Sequence, residues 1–380
     1  MKKNLLLCIL LLPSLFLIAQ HDINYDFTMM KSVRLPYDDS DMPFLTHDKS
    51  QYVVLDGRET MIVGTMSNRL LFYDLNNSEL YHEIQLSESL DYSFHFVSRD
   101  SIFIASSSDG GRILRLDFNG RLQHTYDFRN QNPAPRFWGN SLQVHNNRCV
   151  VGLDVPTALI GTSKFMRSIE PSIGMMDLKR ESIVSSKSLS YPEITTGGFY
   201  PNDIPILYHC TAINGNPLIR YFYSNNLYEW KHTDDSFVKH ALISQLINDV
   251  PPYSEPVQQS DFTLPYHYGP ISCDRVRGYY YSLVQFNPNF YGDNVWSLIV
   301  ADKDFNILCE KLNPPFSSKL HFSDQYLIAL NNQGQGFIEY GFYKLTPYSI
   351  SFTDESERAK QQLSKLKKEI PSTNQLESKP

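Results

Sequence analysis

Few residues in this sequence stand at spacings that do chemistry. His82-Glu83 opens a string of the two-histidine zinc type, in which histidines one helical turn apart hold a metal and the glutamate activates water. Leu86 stands where the second histidine belongs, and the string sits in a strand-like run. Ser364 to Lys367 has the Ser-x-x-Lys spacing, but in a charged stretch with no pocket to activate the serine. Asp38, Asp39 and Asp41 offer hard oxygens suited to calcium, although a solvated acidic turn before Pro43 explains them more simply. There is no phosphate-cradling glycine loop, no dinucleotide fingerprint and no Gly-x-Ser-x-Gly elbow. No catalytic residue is therefore assigned and no cofactor is implied. The chain reads as a binding protein before it reads as an enzyme.

Two aromatic and polar clusters suit recognition. One is Arg136-Phe137-Trp138-Gly139-Asn140, after Pro133 and Pro135; the other runs from Tyr253 to Tyr268 and ends in Tyr266-His267-Tyr268-Gly269. Aromatic faces with polar tips fit sugars or peptides, which makes Arg136, Trp138, Tyr253, Tyr266, His267 and Tyr268 the candidate ligand-binding residues. The competing reading is that these rings fill gaps in the core. Ser107-Ser108-Asp109-Gly110-Gly111 resembles the Asp-box hairpin of sialidases, but it occurs once, lacks the aromatic ending, and reads as turn chemistry. A metal-dependent hydrolase or lactonase is the alternative function. It would need side chains converging from several innermost strands, and the runs SFHFV and LHFSD offer His95, His321 and Asp324; whether a metal binds is left open.

The elements that must position such residues are strands. Tyr and Phe number 24 and 23, and aromatic residues make up 13% of the chain, a composition that favours pleated, half-buried strands. A unit recurs: a β-rich run, a turn, a second run ending near an acidic residue, a turn, and a third run. Met61 to Met66 leads to Leu70 to Leu75 and then LYHEIQL; Ser101 to Ser106 leads to Ile113 to Phe118, Asn119-Gly120 and RLQHTYDF. Asn-Gly between alternating hydrophobics signals a hairpin. Weaker copies begin at Arg148, Leu218, Tyr279 and Tyr326, giving six units spaced by roughly 50 residues. A further run precedes several units, such as Ser93 to Val97 and Leu320 to Phe322, so each unit has four strands, the blade of a β-propeller.

The sixth unit lacks a fourth strand, and Lys31 to Pro36 is a strand without a blade. Pairing them closes the ring and removes an exposed edge. The expected fold is thus all-β, a six-bladed β-propeller closed by an N-terminal strand. A seven-bladed propeller and a pair of β-sandwiches are the rivals, kept open by long apparent loops at Asp154 to Pro171, Tyr191 to Pro217 and Asp249 to Cys273.

The ends differ from the middle. Lys2 and Lys3 precede an apolar run from Leu5 to Ile18, too short to span a bilayer but suited to a signal peptide cut after Ala19. This divides the chain into a signal peptide (1–19), the propeller (20–352) and a charged tail (353–380), the last read as a solvated helix followed by a disordered end. Leu363, Leu366 and Ile370 share one helical face, which leaves a partner-binding helix as the second reading. Export to the periplasm, the medium or the cell surface follows, with no transmembrane segment. Net charge is −7 with no basic stripe, so nucleic acid is not an expected partner. Cys149, Cys210, Cys273 and Cys309 lack zinc-site spacing and read as buried thiols, with disulfides the alternative.

The Ala-Gln that ends the signal segment, followed by the blades MIVGTM…LLFYDLNNSEL and SIFIAS…ILRLDFNGRL, resembles the exported six-bladed propellers of Bacteroidetes, namely the TolB-like group and the family of domain of unknown function 4221. The resemblance covers residues 25 to 350 in general pattern. It implies an exported propeller and carries over no catalytic residue. The function it leaves is a binding or interaction module for a protein, peptide or glycan.

Overall fold

The structure, a computed structural model, describes residues 24–38, 49–86, 92–106, 111–132, 135–136, 142–153, 173–187, 207–221, 224–231, 234–247, 266–287, 295–316, 320–348 and 352–366. Its strands form six antiparallel sheets of four, the blades of a six-bladed β-propeller. The chain enters through β1 (Asn24–Pro36) and then builds blade one from β2 (Ser50–Leu55), β3 (Arg58–Gly64), β4 (Arg69–Asp74) and β5 (Leu80–Gln85). Blade two holds β6 (Tyr92–Ser98), β7 (Ser101–Ser106), β8 (Arg112–Leu116) and β9 (Leu122–Asp127). Blade three holds β10 (Pro135–Arg136), β11 (Arg148–Leu153), β12 (Ile173–Asp177) and β13 (Ser182–Lys187). Blade four is β14 (Leu207–Thr211), β15 (Pro217–Tyr221), β16 (Asn226–Lys231) and β17 (Ser236–Ala241). Blade five is β18 (Tyr266–Asp274), β19 (Tyr279–Phe286), β20 (Val295–Asp302) and β21 (Ile307–Leu312).

Blade six is built from both ends of the propeller. β22 (Leu320–Phe322), β23 (Leu327–Gly334) and β24 (Phe337–Tyr348) are completed by β1, which pairs with β24 from Asn24↔Tyr348 to Pro36↔Phe337. The strand without a blade and the blade without a strand are therefore one sheet.

An acidic residue ends the second run in four of the six units, and it has a local cause. Asp74 accepts the backbone N–H of Asn76 through Oδ1, Asp117 those of Asn119 and Arg121, Asp177 those of Lys179 and Arg180, and Asp302 those of Asp304 and Asn306. Each carboxylate caps the turn between the third and fourth strands of its blade, which is why aspartate recurs there. In blade two this turn runs from Asp117 to Arg121 and includes the expected Asn119-Gly120. Gly120 takes φ +76°, and a Cβ there would stand 2.8 Å from Cγ2 of Ile84 in blade one, so both backbone and neighbour demand glycine.

The hydrophobic core is a ring of layers between blades. Phe72, Ile84, Phe94 and Ile104 pack blade one on blade two; Tyr281, Leu298, Leu320 and Tyr343 pack five on six; Val33, Met61, Tyr73 and Phe342 close six on one. Farther out, the His82 ring stacks on Phe118 at 3.9 Å and the His240 ring stacks on Phe305 at 3.8 Å, each joining a fourth strand to the next blade's turn. His82 of the failed zinc string is thus a seam residue, and Glu83 points to the exposed face, where it pairs with Arg69. Helix α1 (Phe352–Leu366) follows the propeller. Its Ala359 and Leu363, one turn apart, are buried, and Leu363 joins the core of blades three to five beside β21. The helix read first as solvated, with an apolar face as the second reading, buries one face against the propeller, because small and apolar residues four apart form a stripe even in a charged sequence.

Candidate functional site

The innermost strands β2, β6, β10, β14, β18 and β22 surround the propeller axis, and hydrogen bonds from them and from the residues flanking them join neighbouring blades around the ring. Ser50 Oγ lies 3.0 Å from His321 Nε2 across blades one and six. The Gln51 side-chain amide both donates to and accepts from the Phe96 backbone, each at 2.8 Å, across blades one and two. Between blades two and three, Val144 N–H donates to His95 Nδ1 at 3.1 Å, so the neutral His95 ring carries its hydrogen on Nε2. Gln143 Nε2 donates to the His209 carbonyl at 3.2 Å across blades three and four. Ile213 N–H donates to the Tyr280 hydroxyl at 3.2 Å across four and five, and Arg277 reaches the carbonyls of Ser323 and Asp324 across five and six.

Inside this ring lies a cavity of ≈ 330 Å³ to which every blade contributes. Its polar wall includes Gln51, His95, His145, Thr211, Arg275 and His321; Phe94, Leu142, Ile271 and Phe322 supply apolar surface between them. No aspartate or glutamate is among the described residues lining it. Burial, aided by the Arg275 guanidinium, holds His145 below its ordinary pKa. Burial also pushes the Cys273 thiol up to about 12 and the Cys210 thiol well above the usual range. No disulfide joins the four described cysteines.

The sequence-derived candidates fall in different places. Tyr268 is fully buried: its hydroxyl accepts Ser244 N–H at 3.2 Å and its ring carries the Arg220 guanidinium 4.2 Å above it. Tyr266 and His267 are half-buried at the start of β18, and His267 Nε2 bonds Gln285 Oε1 at 2.6 Å. Arg136 is in β10, pairing with Gly152. Trp138 and Tyr253 lie outside the described residues, as do Asp39, Asp41 and the signal segment. Of the three residues considered for a channel metal, His95 and His321 line the cavity while Asp324 is exposed in the turn after β22. Among the described residues no group of three or more His, Cys, Asp or Glu is placed to hold a metal ion. His145, Thr211 and Arg275 were not singled out from the sequence. Two of the innermost strands, β14 and β18, lie within stretches that read as long loops, because β14 is only five residues long and β18 carries Gly269-Pro270, which reads as turn chemistry.

Fold and channel together define a class: a six-bladed β-propeller with a closed ring and a polar central cavity. Residues 33–312 match the family described as Domain of unknown function (DUF4221), and the chain belongs to that family. Among solved structures it is similar to the crystal structure of a DUF4221 member from Bacteroides vulgatus, at 13% identity and a TM-score of 0.65, covering 85% of this chain and 99% of that one. BamB from Moraxella catarrhalis is similar at 12% identity and a TM-score of 0.38, covering 83% of this chain and 99% of that one. Raptor from Chaetomium thermophilum is similar at 10% identity and a TM-score of 0.48, covering 87% of this chain and 29% of that one. No curated protein matches the chain. Among the described residues no helix is long and apolar enough to cross a membrane.

Proposed function

We propose that this protein is an exported binding module that recognises a protein, peptide or glycan at its channel and the loops around it. The observation that supports this best is the cavity itself: all six blades line it, and its wall mixes hydrogen-bonding groups with apolar patches. Pockets of about 300–1,000 Å³ with a few convergent polar groups are typical ligand sites. Segments 136–140 and 253–267 are proposed to add aromatic contacts where the innermost strands of blades three and five begin; Tyr268, fully buried, serves the core instead. Residues 1–19 are proposed to direct export to the periplasm or beyond, with cleavage after Ala19, which N-terminal sequencing of the mature protein checks.

The test screens peptide and glycan arrays with the mature protein and with two variants, one replacing Trp138, Tyr266 and His267 by alanine, the other carrying Thr211→Val in the channel. Loss of the same interaction in either variant supports the reading. If every detected interaction survives both variants, the channel and its loops are not the binding surface.

A further inference from the structure

We propose that the mouth of the channel is a carboxylate site, in which Arg275 and His145 receive the acid group of a short apolar ligand. This rests on the reading of the channel as a binding site and specifies what it binds.

Four observations carry it. Arg275 is exposed in the turn between β18 and β19, with Cys273 of its own blade, Cys210 of blade four and His145 of blade three within its electrostatic reach. A guanidinium beside three consecutive blades is well placed for a ligand that enters along the axis. The neighbouring Asp274 is fully buried: it accepts the N–H groups of Val276 and Arg277 and pairs with the Arg277 guanidinium at 2.7 Å. Arg277 in turn is directed at the carbonyls of blade six. The nearest acid is thus committed elsewhere, and among the described residues Arg275 is paired with no carboxylate.

The chain as a whole has 41 acidic residues against 34 Lys and Arg. A cavity lined by Arg275, His95, His145 and His321, with no acid among its described lining residues, therefore runs against the composition of the chain. Held below its ordinary pKa by burial and by Arg275, His145 stays uncharged beside the guanidinium and offers an incoming carboxylate a hydrogen bond while Arg275 supplies the charge. Finally, Phe94, Leu142, Ile271 and Phe322 offer an apolar wall behind the cationic mouth, and ≈ 330 Å³ admits only a small body. A carboxylate on a short apolar body matches both halves of the site. Such a group comes either from a free organic acid or from the C-terminal residue of a peptide.

Titration calorimetry of the mature protein with hexanoate, with the tripeptide Ala-Ala-Phe, and with its C-terminal amide separates these sources. At least one free-acid probe is expected to bind, to weaken as salt is raised, and to lose about ten-fold or more in affinity in Arg275→Gln. Arg275→Lys should restore part of the loss, since it returns the charge without the fork. Binding of hexanoate alone assigns a free acid; binding of the tripeptide but not its amide assigns a peptide terminus. If the amide binds as well as the acid, or Arg275→Gln binds as tightly as the parent, the carboxylate inference is overturned while the binding module stands. No binding of any free acid at millimolar concentration also overturns it, and the array screen then decides the broader reading separately. Arg275 is exposed, so its variants should fold, which circular dichroism verifies.

Discussion

The Tyr73 hydroxyl donates to the Pro36 carbonyl at 2.6 Å, tying the third strand of blade one to the last residue of the strand that closes the ring. Tyr73 is itself fully buried while Pro36 is exposed, so the bond sits at the edge of the core. Tyr73→Phe keeps the ring and removes only the hydroxyl. Its expected cost is about 1 kcal/mol, read as a lower urea midpoint at unchanged m-value. A fall in m-value would instead mean that the seam opens in the native state.

Arg220 is the most heavily invested buried cation. Its guanidinium donates to the carbonyls of Ser224 and Leu242 and to the Ser282 hydroxyl of blade five, and it lies over the Tyr268 ring. Burial lowers its pKa to about 10, so it stays charged at neutral pH. Arg220→Ala leaves those acceptors unsatisfied and is expected to cost about 3 kcal/mol or more. Arg220→Lys should recover little, because an ammonium cannot fork between acceptors or stack. Equal stability of the lysine variant and the parent in denaturant titration would show that charge alone matters there.

Two glutamates at the blade four–five region respond to pH with opposite sign. Burial would raise Glu229, but hydrogen bonds from Asn216, Asn214 and His240 outweigh it and hold the carboxyl below its ordinary pKa. Its stabilisation is present above the unfolded value of about 4.3 and is lost as pH falls through the folded value. Glu310 is raised by burial, against hydrogen bonds from Ser297, Ser244 and the backbone of Gln245. The folded state therefore holds its proton longer, and stability declines as pH climbs from about 4.3 through the folded value. Urea midpoints measured across pH should show Glu229→Gln flattening the acid limb and Glu310→Gln flattening the decline above it. Parallel profiles for parent and variants would refute the assignment.

The cysteines should be chemically quiet. Burial pushes Cys149 up to about 12, as it does Cys273, and thiolate is the reactive form. A thiol reagent is expected to label the folded protein slowly at Cys149, Cys210, Cys273 and Cys309 and to label all four at once in denaturant. Rapid labelling of Cys149 in the folded state would contradict its burial.

The middle strands of each blade were legible because hydrophobic runs such as Met61 to Gly64 and Leu70 to Tyr73 are buried nearly throughout, and their turns carry aspartates with a backbone task. The innermost strands were less so. β14, with the sequence LYHCT, and β18, with YHYGPISCD and a register shift between Tyr268 and Ile271, answer to the channel as well as to the core. The site inherits that difficulty. Arg275 and His145 belong to blades five and three, and only the packing of blades three to five brings them near each other. Helix α1 shows the reverse case: Leu363 was visible on an apolar helical face, but its burial, with that of Ala359, depends on packing beside β21, which sequence order does not announce.

β1 emerges first in synthesis and finds its partner last. Domains made from the N-terminus onward usually assemble as they appear, yet here residues 24–36 must wait for 337–348 before they can pair. Until then β1 has no edge to join and the ring cannot close. The finished ring resembles a fastened clasp: a nick that frees residues before Tyr37, or a stop before Phe337, should release the same joint from either side.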